Sequence, residues 1–250
     1  VAHGGVFVGR HEGRVVFVPD AIPGERVRVH LTDTGKASFW RGETVEILDA
    51  SPHRRAHVWP AADVGVAPES RPGGADFGHI DLAHQRDLKL RVVEDALRRF
   101  GGVDLQPTIA APTGETPDGT RWRTRVSLHV HSDGRIGPYA ARSHRVIAAA
   151  DLPLATEAIE RAAGQLTGAE PGRIDLVQPA DGRVRVIPRP DRVRKDRGGQ
   201  PRGRRARASD PARETVIERV GEREFRVDAG GFWQVHRQAA QTLTDAVTFA

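Results

Sequence analysis

Arg14-Val15-Val16-Phe17-Val18-Pro19-Asp20-Ala21-Ile22-Pro23-Gly24-Glu25-Arg26-Val27-Arg28-Val29-His30-Leu31 decides how the first part of the chain folds. Arg14 to Val18 is a β-branched and aromatic run, which fits a pleated strand. Pro19-Asp20 ends it, because proline has no N–H to give to a ladder. Ala21-Ile22-Pro23-Gly24-Glu25 is turn chemistry. Arg26 to Leu31 then alternates basic and apolar, the period-two pattern of a half-buried strand. Arg26, Arg28 and His30 share its solvent face. Phe39 to Leu48 adds one or two more strands. Short strands with regular turns predict a small β-barrel over residues 1–50.

The pattern changes beyond it. Residues 51–80 are rich in Pro, Gly and Ala and show no periodicity. Asp81 is a good N-cap, and Leu90, Val93, Leu97 and Phe100 follow at helical spacing, with Gly101-Gly102 as the stop. Trp122 to His131 predicts a strand, as do Arg135 to Gly137 and Arg145 to Ile147. Ile159, Ala162, Ala163 and Leu166 predict a second helix. Hairpins are expected around Asp181-Gly182 and Gly221. A last helix carries Ala239, Leu243, Ala246 and Val247. Residues 51–228 thus read as an α+β domain of mainly antiparallel strands, and 229–250 as the start of something further.

The chain has 250 residues and neither Cys nor Met. Without Cys there is no disulfide, thiolate metal site, iron–sulfur cluster or cysteine nucleophile. A first residue of Val1, with no Met anywhere, is read as a chain open at both ends, its first strand cut away. No apolar run is long enough to span a bilayer. A cytoplasmic monomer without membrane contact is the expectation. The net charge of +5 is local. Residues 189–213 hold ten Lys/Arg and three Asp/Glu, a net of +7, and the remainder holds 28 basic and 30 acidic residues, a net of −2. That segment has almost no large apolar residue, so it is expected to be a disordered insertion. It serves either to attract RNA or as a charged loop without a role.

Candidate ligand contacts fall in several places. His3, Arg10, His11, Arg14, Arg26 and Arg28 give the barrel a basic aspect suited to nucleic acid. Asp20, Glu25, Asp33 and Glu43 dilute it, so a solvated face is the competing reading. Arg121, Arg123 and Arg125 alternate along one predicted strand, where three guanidiniums could hold a phosphate chain. His144 is either an RNA contact or a surface histidine with a structural hydrogen bond. His129 with His131, and His53 with His57, could each share a face, but two histidines do not make a metal site, and none is expected. Gly230-Gly231-Phe232-Trp233-Gln234-Val235-His236 sits at a strand-to-helix turn. A base can stack on an aromatic such as Phe232 or Trp233, and the Gln234 amide can donate and accept along a base edge; a helix start whose aromatics are simply core is the competing reading.

Three blocks, Ala2 to Arg10, Gly13 to Pro19 and Ile22 to Val27, resemble a TRAM domain, an OB-like barrel of RNA 5-methyluridine methyltransferases. The resemblance continues through Pro72 to His79, Arg121 to Leu128, Gly137-Pro138-Tyr139, Asp151 to Leu154 and Gly231 to His236. It implies an RNA partner (tRNA or rRNA), S-adenosylmethionine as cofactor and transfer of a methyl group to C5 of uridine. It places Phe232 and Gln234 beside substrate or cofactor. Trp59, Pro72, Ala75 and Leu152 stand where many members carry cluster cysteines, so no iron–sulfur cluster is expected. Apolar packing by Trp59, Phe77 and Leu152 should fill its place. With no Cys and no Gly-rich nucleotide loop, no catalytic residue is assigned. The Rossmann-like methyltransferase domain is expected to be absent, the chain being truncated before it. The fragment should then bind RNA without methylating it. The alternative is a stand-alone RNA-binding or RNA-chaperone protein. A third class is a hydrolase using His129, His131 and nearby acids.

Overall fold

The computed structural model describes residues 6–148, 151–191 and 210–248. Val1 to Gly5, with His3, and most of the basic 189–213 segment lie outside the described residues. Two compact units result. The described residues within 1–111, 117–119 and 140–143 form the first, and those within 112–116, 120–139 and 144–250 the second.

In the first unit, strands β1 (Phe7–His11), β2 (Arg14–Val18), β3 (Arg26–Asp33) and β4 (Phe39–Asp49) form one sheet in the order β1-β2-β4-β3. β2 and β4 run parallel, and the other two pairings are antiparallel. The period-two pattern decides which face is buried. Val16, Val18 and Ala21 are buried, with Val27, Val29 and Trp40 packed against them. Arg26, Arg28 and His30 are exposed, as alternation requires. Among the described residues no pairing joins β1 to β3. The β3–β4 pairing shifts register at three places, and such bulges bend and twist a ladder. Gly42 stands at one of them. A Cβ there would lie 2.8 Å from the His30 carbonyl oxygen, so only glycine allows the approach.

Residues 51–80 fold without regular strands, tied to the sheet by buried charge. Arg54 grips both oxygens of Glu25, at 2.6 and 2.7 Å. Arg71, 2% exposed, donates to Asp20 and to the carbonyls of Val64 and Val66. Helix α1 (Leu82–Ala96) starts where expected. The Asp81 carboxylate accepts the His84 N–H at 2.7 Å. A π-turn over Leu97–Gly101 follows, and Gly102 closes it at φ 63°, a left-handed cap. Leu88 and Ile80 pack with Phe7, Ile22 and Phe77 as the core of this unit. Each such buried aliphatic contributes roughly 1.5–3 kcal/mol.

The second unit holds an antiparallel sheet of β5 (Arg125–Val130), β6 (Ile136–Gly137), β7 (Gly172–Val177) and β8 (Arg185–Pro190), ordered β6-β5-β7-β8. Helix α2 (Glu157–Gly164), capped by Thr156, packs on β7 through Ile159. The hairpin of β9 (Thr215–Val220) and β10 (Arg223–Asp228) is joined to that sheet by a core of Val177, Ile187, Val216 and Ala229. Helix α3 (Ala239–Thr248) follows, with Leu243 and Val247 exposed. Two expectations shift. The regular strand begins at Arg125 rather than Trp122, and Arg145 to Ile147 makes one isolated bridge, Tyr139 with Val146, instead of a strand.

Candidate nucleic-acid interface

Two motifs that are far apart in sequence meet in the second unit. Before β5 the chain leaves regular pairing and takes up the segment after β10 as its neighbour. Thr124 N–H donates to the Val235 carbonyl at 2.8 Å and its hydroxyl donates to the same oxygen at 3.1 Å. Arg237 N–H donates to the Trp122 carbonyl at 3.0 Å. The Trp122 ring lies on His236, centroids 5.3 Å apart. Thr124 thus works through its short hydroxyl, which gives the Val235 carbonyl a second donor.

The three arginines take different work. Arg121 has φ 62°, leaves the strand geometry and pairs with Glu160 at 2.6 Å. Arg125 is nearly buried and pairs with Glu218 at 2.9 Å. It also donates to the carbonyls of Ala229 at 3.1 Å and Gly231 at 2.8 Å. Burial pushes the Glu218 carboxyl above its usual range, against the pull of the Arg125 guanidinium. Arg123 has no carboxylate partner among the described residues. Its guanidinium sits 5.3 Å from the Trp122 ring centre, its Nε is buried without a partner, and burial lowers its pKa. The expected row of three equivalent guanidiniums is therefore corrected. A left-handed residue breaks the strand at Arg121, and a buried acid claims Arg125.

The turn that Arg125 holds presents Phe232. Its ring is 85% exposed, which no core role explains. Gln234 is half-buried, and no hydrogen bond to its amide is made among the described residues. Trp233 packs on Phe225 of β10, centroids 5.6 Å apart. Gly230 and Gly231 do not have the left-handed φ that a tight glycine turn suggests. Gly230 is needed for close approach, since a Cβ there would meet Ala212 and the Arg189 guanidinium at 2.8 Å.

The other candidates lie elsewhere. Arg10 and Arg26 are exposed on β1 and β3. Arg14 lies over the Trp40 ring at 4.5 Å. Arg28 pairs with Glu46. His144 is exposed, edge-on to Tyr139, whose other contact is a parallel stack with His129 at 3.5 Å. His53 stacks on His84 at 3.9 Å rather than joining His57. Among the described residues no group of three or more His, Asp or Glu is placed to hold a metal. Of the residues at the cluster positions, Trp59, Pro72, Ala75 and Leu152 are all buried. Phe77 packs against Phe7 rather than forming a plug of its own. His79 is 2% exposed, with Nε2 on the Ala21 carbonyl and Nδ1 unpartnered, and burial lowers its pKa to about 4. Sequence reasoning missed Glu218. Its signal was present, since a carboxylate in the buried phase of Val216-Ile217-Glu218 calls for a cationic partner.

Comparison with known proteins adds to this geometry. Residues 1–48 match the TRAM domain. The whole chain is similar to RNA methyltransferases. An uncharacterised RNA methyltransferase of Streptomyces coelicolor is 36% identical over 276 residues, covering 99% of this chain and 58% of that protein. The 23S rRNA (uracil(1939)-C(5))-methyltransferase of Shewanella denitrificans is 31% identical over 160 residues, 62% of this chain and 32% of that one. The solved Pyrococcus abyssi tRNA (uracil-54, C5)-methyltransferase, in complex with S-adenosyl-L-homocysteine, aligns with a TM-score of 0.57 at 15% identity. It covers 99% of this chain and 65% of that structure. The chain thus spans 58% of the first of these relatives.

These matches correct one expectation. The sequence predicts a TRAM domain and an α+β domain from which the Rossmann-like methyltransferase domain is absent. Instead the chain follows a solved methyltransferase through 99% of its own length, and its sheets and helices are those of that fold. The lack of Cys and of a Gly-rich loop is a statement about chemistry, and it carries no information about fold. Among the described residues the parallel pairings are β2 with β4 and the isolated bridge of Arg123 with Ala155.

Proposed function

We propose that this chain binds RNA for methyl transfer to C5 of a uracil in tRNA or rRNA, with S-adenosylmethionine as the methyl donor. The observation that carries the reading is the joining of the Arg121–Arg125 stretch to the Gly231–His236 segment. It sets an exposed aromatic ring, a free amide and an arginine without a carboxylate on one short piece of structure. Those are the three contacts an unstacked nucleotide takes: a face to stack on, an edge to hydrogen-bond and a charge for phosphate. Phe232 supplies the face, Gln234 the edge contact and Arg123 the charge. Similarity to named RNA methyltransferases along the chain supports the reaction class.

In this reading Arg125 and Glu218 act through the backbone. They fix the carbonyls of Ala229 and Gly231, and hence the direction in which Phe232 leaves the turn. The chain has no Cys, so its own residues hold and orient the base and supply no thiolate. Mass-spectrometric mapping of 5-methyluridine in RNA from cells lacking the gene tests the proposal. One uridine should lose its methyl group. Complementation with Phe232→Ala or Gln234→Ala should restore it at least about tenfold more slowly than wild type, as expected for losing a contact worth about 1.4 kcal/mol or more. Unchanged methyluridine in the deletion strain refutes the reading.

A further inference from the structure

The alternating basic strand β3 offers itself as the RNA-binding face of the TRAM domain, but strand register speaks against it. Arg26 stands opposite Asp49, Arg28 opposite Glu46 and His30 opposite Glu43. Every cation on that face has an acid beside it on β4, and Arg28 is ion-paired.

The outer face of β1, β2 and β4 is built differently. Register sets Val8, Phe17 and Arg41 in one row across the three strands, and Arg10, Val15 and Phe39 in the next. Phe17 and Phe39 meet edge to face, centroids 5.4 Å apart. Lys36 Nζ lies 4.9 Å from the centre of the Phe39 ring and the Arg41 guanidinium 5.4 Å. Val8 is 46% exposed at the end of the row. Arg10, Lys36 and Arg41 have no ion-pair partner among the described residues. The nearest acid in register is Asp33, opposite Arg41, and its Oδ1 accepts the Gly35 N–H. The result is an aromatic centre with three cations around it.

We infer that this face binds single-stranded RNA, with a base stacked on Phe39 beside Phe17 and the flanking phosphates held by Arg10, Lys36 and Arg41. Aromatic platforms edged with cations suit single strands, because every base has a π-face and the backbone is anionic. A duplex keeps its bases stacked on one another and has nothing to offer the ring. The grip is not sequence-specific. The inference rests on the RNA-binding reading above.

The test is RNA binding by the 250-residue chain, using a 12-nucleotide single strand with one 2-aminopurine and a hairpin duplex of the same bases. The single strand should bind more tightly than the hairpin and its 2-aminopurine fluorescence should be quenched. Phe39→Ala should weaken single-strand binding about 5- to 150-fold, and Phe39→Tyr should restore it. Lys36→Gln and Arg41→Gln should each reduce the salt dependence of log K by about 0.7. Arg28→Gln should leave both affinity and salt slope unchanged. Circular dichroism melts confirm that Phe39→Ala is folded, with Phe39→Tyr as the check on packing. If the wild-type chain binds no RNA, the functional reading and this inference fall together. If it binds and Phe39→Ala binds equally well, or the duplex competes equally, the inference alone is overturned. If Phe39→Ala loses binding to phosphatidylserine vesicles that the wild-type chain binds, and keeps its RNA binding, the inference is likewise overturned, in favour of a membrane surface.

Discussion

At the scale of single residues, the Arg125–Glu218 pair shows how stability and site geometry are joined. Both side chains are nearly buried, 11% and 8% exposed, and Arg125 also holds two carbonyls that precede Phe232. Removing one partner strands a charge. Arg125→Ala should therefore cost about 3–5 kcal/mol in urea unfolding, and Arg125→Met with Glu218→Leu much less. Equal losses in the single and double variants would show that the charges are not coupled. His79 makes a second prediction, about pH. Burial holds its pKa near 4 in the folded chain against an ordinary 6.5. The unfolded chain therefore takes up this proton as pH falls through 6.5, while the folded chain does so only near 4. Stability is full above 6.5 and declines between those values, with a limiting slope of about 1.4 kcal/mol per pH unit. His57, whose pKa burial also lowers, adds to the decline in the same direction. Urea midpoints at pH 7.5 and 5 measure it, and His79→Gln should flatten the profile. A wild-type midpoint that does not move between those pH values would rule out the account.

At the scale of elements, the start of α1 was written in the sequence and tests simply. Asp81 accepts from the His84 N–H and from the His53 ring, at 2.7 and 2.9 Å. Asp81→Ala should cost about 1 kcal/mol and Asp81→Ser much less, read from thermal melts. Equal melting temperatures for all three would mean that the cap is not limiting. Such local signals were legible because one side chain and one backbone group settle them. The same holds for Arg26 to Leu31, where side-chain alternation alone names the buried face. The Arg121–Arg125 stretch was legible only in part. Alternation put its three arginines on one face, but alternation assumes a regular strand, and Arg121 at φ 62° breaks that assumption. Its true partners, Val235, Gly231 and Glu218, are about 90 to 110 residues away, so no local pattern could name them. The acids opposite β3 were hidden for the same reason. Composition shows that acids are present, and only register shows which cation each one faces.

At the scale of the whole molecule, net charge is concentrated in one stretch of the sequence rather than spread along the chain. Arg192 to Arg207 contains eight Lys/Arg and one Asp, so deleting it changes the net charge of the chain from +5 to −2. A chain of net −2 still binds RNA if binding rests on placed contacts, since Phe39, Phe232 and Gln234 do not depend on bulk charge. It loses the part of binding that comes from releasing counterions, which scales with the number of phosphates neutralised. The two contributions separate in a salt titration. The deletion should flatten the dependence of log K on log salt by several units and weaken binding strongly at low salt. At high salt, where released counterions count for little, its affinity should approach that of the full chain. The quenching of 2-aminopurine at saturation should not change, because it reports stacking. If the slope is the same with and without the segment, these arginines take no part in binding, and cations elsewhere in the chain carry the salt dependence alone.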